Sequence, residues 1–213
     1  MPGRAAPAAN GLQPLDFRAE ERLLRRGIWP VAGVDEAGRG PLAGPVAAAA
    51  VILNPQCVPV GLNDSKKLKP KQREALFEAI LATALGVSVA FASAEEIDQL
   101  NIRQATFLAM RRALAALTPP PCHILFDGRE MPPQLAASSA TIIGGDGLIA
   151  SIAAASIIAK VTRDRLMTEL SEFYPMYRFA EHFGYATKAH LSAIATHGPC
   201  PLHRKTFRPF AGG

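Results

Sequence analysis

Four carboxylates in this sequence lie at or just beyond the ends of short apolar segments that have the composition of buried strands. They are Asp35, Glu36, Asp127 and Asp146. Strand ends that gather at one edge of a mixed α/β sheet form a site there. Converging carboxylates with few His or Cys ligands nearby suit Mg²⁺ or Mn²⁺, and two such ions can support phosphodiester hydrolysis. These acids therefore predict metal-dependent phosphodiester chemistry.

The same acids also allow a plainer interpretation. A single Asp after a strand is more often a turn or helix-cap residue, and the Asp-Gly pairs at 127–128 and 146–147 fit such turns equally well. Asp35 and Glu36 are adjacent, so on a regular strand they point to opposite faces. Both reach one site only where the strand ends or is bulged, which the Gly-Arg-Gly turn at 38–40 would allow.

Basic residues are concentrated in two segments of a chain whose formal net charge is +5 and whose pI is about 9.4. The cations of the first segment are Lys66, Lys67, Lys69, Lys71 and Arg73. From His182 to the C-terminus there is no Asp or Glu, and the cations there are Lys188, Arg204, Lys205 and Arg208. A solvated face or tail would explain one cluster. Two clusters, one free of acid, favour binding to phosphates.

The apolar spacing predicts strands and helices that alternate along most of the chain. Strands are predicted at 31–34, 46–53, 87–91, 122–126 and 140–143, and helices at 17–26, 71–84, 94–117 (one helix or a broken pair), 149–172 and 188–196. The first two strands should form a hairpin. The long helix at 149–172 is rich in Ala and Ser in its first half, so we expect it to lie close against the sheet.

The 213 residues suit one domain, or one domain with an appendage. We expect an N-terminal tail over residues 1–28, disordered over 1–14, and a catalytic domain over 29–213 that includes a C-terminal extension. The three cysteines are far apart and in no CxxC spacing, which indicates neither a disulfide framework nor a zinc site and fits a reducing compartment. The sequence predicts no signal peptide and no membrane span, so we expect a cytoplasmic protein. A monomer is the default expectation.

One long motif and several shorter ones resemble a known family. The stretch from Gly33 to Val46 (GVDEAGRGPLAGPV) resembles the N-terminal signature of the bacterial type 2 ribonuclease H family, ribonuclease HII. Further segments match in the family's order: Asp64–Leu68 (DSKKL), Asp127-Gly128, Ser151–Lys160 (SIAAASIIAK) running on to Arg163-Asp164, Gly184-Tyr185, and His203–Phe207 (HRKTF). The resemblance spans about residues 30–210, which is nearly the whole folded chain.

The resemblance implies an α/β fold of the ribonuclease H-like kind, a mixed sheet flanked by helices with a helical C-terminal extension. It implies an endonuclease that hydrolyses the RNA strand of RNA–DNA hybrids and cuts 5′ to single ribonucleotides embedded in duplex DNA. The implied mechanism uses two divalent cations, Mg²⁺ or Mn²⁺, and leaves 5′-phosphate and 3′-hydroxyl ends. The implied partners are these nucleic acids, not a membrane, and the implied process is ribonucleotide excision repair.

Site residues follow from the resemblance position by position. The implied catalytic and metal-binding carboxylates are Asp35, Glu36, Asp127 and Asp146. Asp164 competes with Asp146, which we prefer because the family's fourth acid precedes the Ala/Ser-rich helix. The implied substrate-binding residues are Gly38, Arg39, Gly40, Ser65, Lys66, Lys67, Tyr185 and Arg204. Residues 38–40 would present backbone groups to the ribose 2′-hydroxyl, Tyr185 would stack on the sugar, and Arg204, the serine and the two lysines would contact phosphates.

One position departs from the family pattern. The residue before Gly184 is usually Lys in this family and is Phe183 here. This change removes a cation near the substrate and would weaken one phosphate contact unless Lys188 replaces it. It leaves the carboxylates untouched, so we expect catalysis itself to be unaffected.

Two other functions would explain part of this pattern. A non-catalytic nucleic-acid-binding module with the same fold needs the basic segments, but four acids are electrostatically costly for a phosphate binder. A DNA nuclease or resolvase shares the acids but has no use for groups that read a 2′-hydroxyl. Equal cutting of an all-DNA duplex and of the same duplex with one ribonucleotide would favour the DNA nuclease.

Overall fold

The computed structural model describes residue 15 and residues 17–210, so the disordered tail expected over 1–14 lies outside the described residues. The strands are β1 (Val31–Ala37), β2 (Val46–Ile52), β3 (Gly86–Ala92), β4 (His123–Asp127) and β5 (Ser138–Ile142). The helices are α1 (Arg18–Arg25), α2 (Pro70–Thr83), α3 (Ala94–Leu100), α4 (Ile102–Ala116), α5 (Ala150–Phe173), α6 (Phe179–His182) and α7 (Lys188–His197). Short 3₁₀ turns lie at Gly145–Gly147 and Pro175–Tyr177.

The five strands form one mixed sheet in the order β3-β2-β1-β4-β5. The hairpin β1–β2 and the pair β2–β3 are antiparallel, whereas β1–β4 and β4–β5 are parallel. The predicted mixed sheet flanked by helices and the predicted hairpin are therefore confirmed. Because β1 is central and parallel to β4, the carboxyl ends of these two strands meet at the same edge of the sheet.

Helices cover both faces of the sheet, and β2 is buried on both sides. Its side chains at 48, 50 and 52 belong to the core with α3 and α4, and those at 49 and 51 to the core with α2 and α5. This double burial explains why β2 reads as a continuous apolar run without polar alternation. Its alanines are small, which allows helices to approach closely on each face.

Helix α5 lies directly against β1, as its Ala/Ser-rich first half predicts. A Cβ built on Gly33 of β1 would lie 2.1 Å from the carbonyl carbon of Ser151, so only glycine fits this contact. A side chain of α1 caps the first turn of α5: the Ser151 N–H donates a hydrogen bond to Oε1 of buried Glu20 (2.8 Å). The site-bearing helix is thus fixed to the sheet before it reaches the strand ends.

The predicted helix over 94–117 is a broken pair. Asn101 has a φ of 68°, separates α3 from α4, and accepts a hydrogen bond from the Gln104 N–H to begin α4. Ser93 begins α3 with a capping box to Glu96. The apolar spacing continues across the break because both helices pack on the same face of the sheet.

The chain ends in a helical extension that packs on the loop between β1 and β2. Its core contains Leu42, Ala43 and Met167 together with Tyr177 and Phe179. The predicted helical C-terminal extension is confirmed. Among the described residues, no helix is both long and apolar enough to cross a membrane.

Candidate active site

Asp35 and Asp127 lie side by side at the carboxyl ends of two neighbouring strands. The last paired residues of parallel strands β1 and β4 are Val34 and Phe126, and the two acids are the next residue of each strand. Parallel neighbours in register point to the same face, which here is the face covered by α5. The sheet therefore places two carboxylates in direct proximity.

Asp146 reaches the same place from the 3₁₀ turn at 145–147 that precedes α5. This turn is attached to β4, because the Gly145 N–H donates to Oδ1 of Asp127 (2.7 Å). One carboxylate oxygen from each of Asp35, Asp127 and Asp146 lies within 4.8 Å of the others. These three acids, the acidic triad, form a cluster of the size that a divalent cation can bridge.

The triad is electrostatically unfavourable on its own. Burial raises the pKa of Asp35 well above its usual range, and the charges of Glu36 and Asp127 add to this effect. Hydrogen bonds from the Glu36 N–H (2.7 Å) and from the Ser156 hydroxyl lower it again. Burial also raises the pKa of Asp146, which Lys66 opposes with its Nζ 3.4 Å from Oδ2. A bound cation would relieve the repulsion among these carboxylates.

Glu36 lies next to the triad and outside it. β1 pairs regularly through Asp35 and Glu36 and ends at Ala37, so the two side chains face opposite sides of the sheet. Burial raises the pKa of Glu36, and Arg39, whose Nη1 is 3.1 Å from Oε1, opposes that rise. Asp35 and Glu36 nevertheless line the same cavity at the strand end. Of the four predicted carboxylates, the structure brings three into one cluster and places the fourth at its edge.

The cavity at this edge is about 270 Å³ and joins Asp35 and Asp127 of the triad to most of the predicted substrate-binding residues. Residues 38–40, the 38–40 loop, form one wall, and Lys66 lies beside the acids. Tyr185 is 45% exposed and faces this loop, since a Cβ on Gly40 would be 3.8 Å from its ring. A second cavity of about 280 Å³ continues past Glu36 toward Arg103 and Arg129.

Three residues of α5 to which the sequence assigned no role also line the first cavity, the one of about 270 Å³. They are Ser156, Lys160 and Arg163. Ser156 forms a hydrogen bond with Asp35, and Lys160 pairs with Asp164 (2.7 Å). The signal was in the sequence, because the spacing of i, i+4 and i+7 places all three on one helix face.

The structure corrects the prediction for Arg204. Its side chain is 0% exposed, and its guanidinium donates to the backbone carbonyls of Gly38, Arg39 and Gly44. The predicted phosphate contact of Arg204 is therefore wrong, because its guanidinium N–H groups bind backbone carbonyls inside the protein. Ser65 is also buried, and its hydroxyl oxygen lies within hydrogen-bonding distance of that of Ser156 (2.9 Å), so its hydroxyl faces α5.

The remaining predicted cations are accessible. Lys66 and Lys67 are exposed and lie near Asp64, at 3.8 and 4.0 Å from its carboxylate. Asp164 lies outside the acidic triad, paired with Lys160 one turn earlier on α5. Lys160 also lies over the ring of Phe183, with Nζ 4.9 Å from the ring centroid. Phe183, which stands where the family usually has Lys, therefore has the ammonium group of Lys160 stacked on its ring.

Comparison with known proteins agrees with these features. A family model described as Ribonuclease HII matches residues 32–209. The ribonuclease HII of Sinorhizobium medicae is 57% identical over 195 residues, which cover 92% of this chain and 90% of that protein. The structure of ribonuclease H2 from Pyrococcus horikoshii superposes with a TM-score of 0.70 at 28% identity, covering 84% of this chain and 94% of that one. Ribonuclease HII of Archaeoglobus fulgidus, solved in complex with PCNA, gives a TM-score of 0.70 at 25% identity, with coverage of 84% and 96%.

Proposed function

This chain belongs to the ribonuclease HII family of endoribonucleases, and we propose that it hydrolyses the RNA strand of RNA–DNA hybrids and cuts 5′ to single ribonucleotides embedded in duplex DNA. The observation that carries this proposal is the acidic triad, two of whose members, Asp35 and Asp127, line the same cavity as the 38–40 loop and Tyr185. Chemistry on the phosphate and recognition of the ribose would then occur in adjacent parts of one groove.

The donor set fits hard divalent cations such as Mg²⁺ or Mn²⁺. The triad offers carboxylate oxygens alone, within 4.8 Å of one another, and no His or Cys belongs to it. Asp35, Asp127 and Asp146 would hold one ion, and Glu36 at the edge of the triad would contribute to a second. Bound ions of this kind activate water and neutralise the charge that develops on the phosphate, which would leave 5′-phosphate and 3′-hydroxyl ends.

The protein's own groups would bind and orient the substrate. Exposed Lys66 lies 3.4 Å from Asp146 and can reach a phosphate that approaches the triad. The 38–40 loop would donate backbone N–H groups to the 2′-hydroxyl, and Tyr185 opposite it would stack on the sugar. Lys66 and Lys67 would hold the backbone of the nucleic acid by charge. We also expect action as a cytoplasmic monomer in ribonucleotide excision repair.

The direct test is cleavage of a DNA duplex that contains one ribonucleotide, compared with the all-DNA duplex of the same sequence, in Mg²⁺ or Mn²⁺. We expect one cut on the 5′ side of the ribonucleotide and none in the all-DNA duplex. Asp127→Asn should abolish cutting and keep duplex binding, whereas Glu172→Gln, which removes an exposed acid at the end of α5, should change neither. Equal cutting of both duplexes would support a DNA nuclease instead.

A second test measures the metal without relying on turnover. Because the triad is repulsive when empty of cations, Mn²⁺ should raise the Tm of the wild type, and Asp127→Asn should reduce this rise. The same Tm increase in the variant would argue that these acids do not hold the ion.

A further inference from the structure

Two buried arginines lie behind the 38–40 loop; Arg204 holds its backbone by hydrogen bonds, and Arg163 packs beside it. Arg204 makes four hydrogen bonds to three carbonyls: Nη2 to Gly38 O (2.6 Å), Nη1 to Arg39 O (2.9 Å), and Nε and Nη2 to Gly44 O (3.0 and 2.8 Å). Arg163, which is 1% exposed, donates to the carbonyls of residues 43, 45 and 183. Its side chain also occupies the space beside Gly38, where a Cβ would lie 2.0 Å from Nε.

These contacts fix the direction of the peptide groups in the loop. In a trans peptide the C=O and the following N–H point in opposite directions. Since the carbonyls of Gly38 and Arg39 point inward to Arg204, the N–H groups of Arg39 and Gly40 point away from it, toward the cavity that both residues line. Within the described part of the chain, neither N–H donates to a protein acceptor. The loop therefore presents two unused donors to the groove.

A guanidinium is suited to this task in a way that an ammonium is not. Its planar fork offers five donors in fixed directions, so one side chain can hold several carbonyls at defined angles. Burial and the charge of Arg163 lower the pKa of Arg204 to about 9, which leaves it protonated at neutral pH. A positive charge thus lies directly behind the two N–H groups and strengthens their attraction for an oxygen acceptor.

We propose that Arg204 is a positioning residue for recognition of ribose, because it turns the carbonyls of Gly38 and Arg39 inward and so aims the next two N–H groups at the 2′-hydroxyl oxygen. This inference rests on the proposed function, since it assumes that the 38–40 loop reads the ribose. It assigns a role to the cation that the sequence had suggested for phosphate binding. Arg204 acts through the loop and does not touch the substrate.

The test measures binding preference in the Asp127→Asn background, in which we expect no cutting. Fluorescence polarisation gives Kd for a duplex with one ribonucleotide and for the all-DNA duplex, on the same protein preparation. Arg204→Lys loses the planar fork, and we expect the preference for the ribonucleotide duplex to fall by about tenfold, as for the loss of one or two hydrogen bonds. Affinity for the all-DNA duplex should stay unchanged, which a general loss of structure would not produce.

Two further variants complete the design. Lys205→Ala is the matched control, because Lys205 is the exposed neighbour on the same segment and should leave the preference unchanged. Asp98→Ala acts on the segment that carries Arg204 without changing a residue of the groove. The Asp98 carboxylate accepts hydrogen bonds from the N–H groups of Lys205 (2.8 Å) and Thr206 (2.9 Å), and the variant removes both. This variant should reduce the preference by a smaller factor.

The outcomes separate the two proposals. If the Asp127→Asn protein itself binds both duplexes equally, reading of the 2′-hydroxyl fails, and the role of Arg204 fails with it. If that protein prefers the ribonucleotide duplex and Arg204→Lys retains the full preference, the positioning role alone is overturned. Should Arg204→Lys not fold, an unchanged preference in Asp98→Ala overturns it.

Discussion

Replacing Gly33 by alanine should push α5 away from β1 and disable the active site from a distance. The new Cβ would lie 2.1 Å from the carbonyl carbon of Ser151 and 2.4 Å from the N of Ile152, both backbone atoms of α5. Carbon atoms in contact lie about 3.5–4.0 Å apart, so the helix would have to retreat by about 1.5 Å. Gly33 does not have a positive φ, so the whole cost is steric.

The magnitude follows from how little this interface can adjust. Overpacking a core costs about 1–3 kcal/mol, and the obstacle here is the backbone of a 24-residue helix whose first residues are fully buried. We therefore expect a loss of about 3 kcal/mol in the free energy of unfolding, or about 6–12 °C in Tm for a chain of this size. Ser156 and the turn that carries Asp146 move with α5. A displacement of about 1 Å can cost about 100-fold in rate, so we expect a loss of at least that size.

The assay is urea unfolding followed by circular dichroism, together with initial cleavage rates on the one-ribonucleotide duplex well below the Tm. Gly27→Ala is the matched control: its φ is 72° and a Cβ there meets nothing within 4 Å. That variant should lose about 1–2 kcal/mol from backbone strain alone and keep its activity. The reasoning is refuted if Gly33→Ala unfolds no more easily than Gly27→Ala or cuts at the wild-type rate.

Three further predictions concern two acids, the buried His203 and the start of α5. Asp146→Asn should abolish cutting, whereas Asp164→Asn, which removes an acid paired within α5, should retain most of it; turnover measurements in Mn²⁺ that showed equal losses would contradict this. Burial lowers the pKa of His203 in the folded protein to about 4, whereas in the unfolded chain it is about 6.5. As the pH falls below about 6.5, the unfolded chain therefore binds a proton before the folded protein does. The stability that is present above that pH is lost toward pH 4. The advantage of the wild type over His203→Gln in urea unfolding should therefore shrink by about 2 kcal/mol between pH 7 and pH 5, and a constant difference would exclude this titration. Glu20→Ala removes the acceptor of the Ser151 N–H and should cost about 1–2 kcal/mol in the same unfolding assay, while a cost near zero would show that the first turn of α5 is capped in another way.

Much of the architecture was determined by local sequence patterns. The runs around β1 and β2 and the turn residues between them predicted a hairpin, because apolar spacing and glycine act over a few residues. The Ala/Ser composition of α5 predicted its close approach to the sheet. Long specific motifs also indicate the ribonuclease HII family.

The sequence predicts that side chains alternate along β1, but it does not predict which of Asp35 and Glu36 joins the acidic triad. It predicted that Asp35 and Glu36 face opposite sides of a regular strand, and β1 is regular there. That Asp35, and not Glu36, joins the triad depends on which face α5 covers. That choice depends on packing between segments more than a hundred residues apart in the chain.

Arg204 shows most clearly what only the tertiary structure decided. In the sequence it belongs to an acid-free basic segment, which favours a cation that faces phosphate. In the fold it is fully buried and its donors hold the carbonyls of Gly38, Arg39 and Gly44. Composition records the charge of a side chain, but whether that charge meets solvent or backbone depends on where its segment packs, and no local pattern around Arg204 indicates that place.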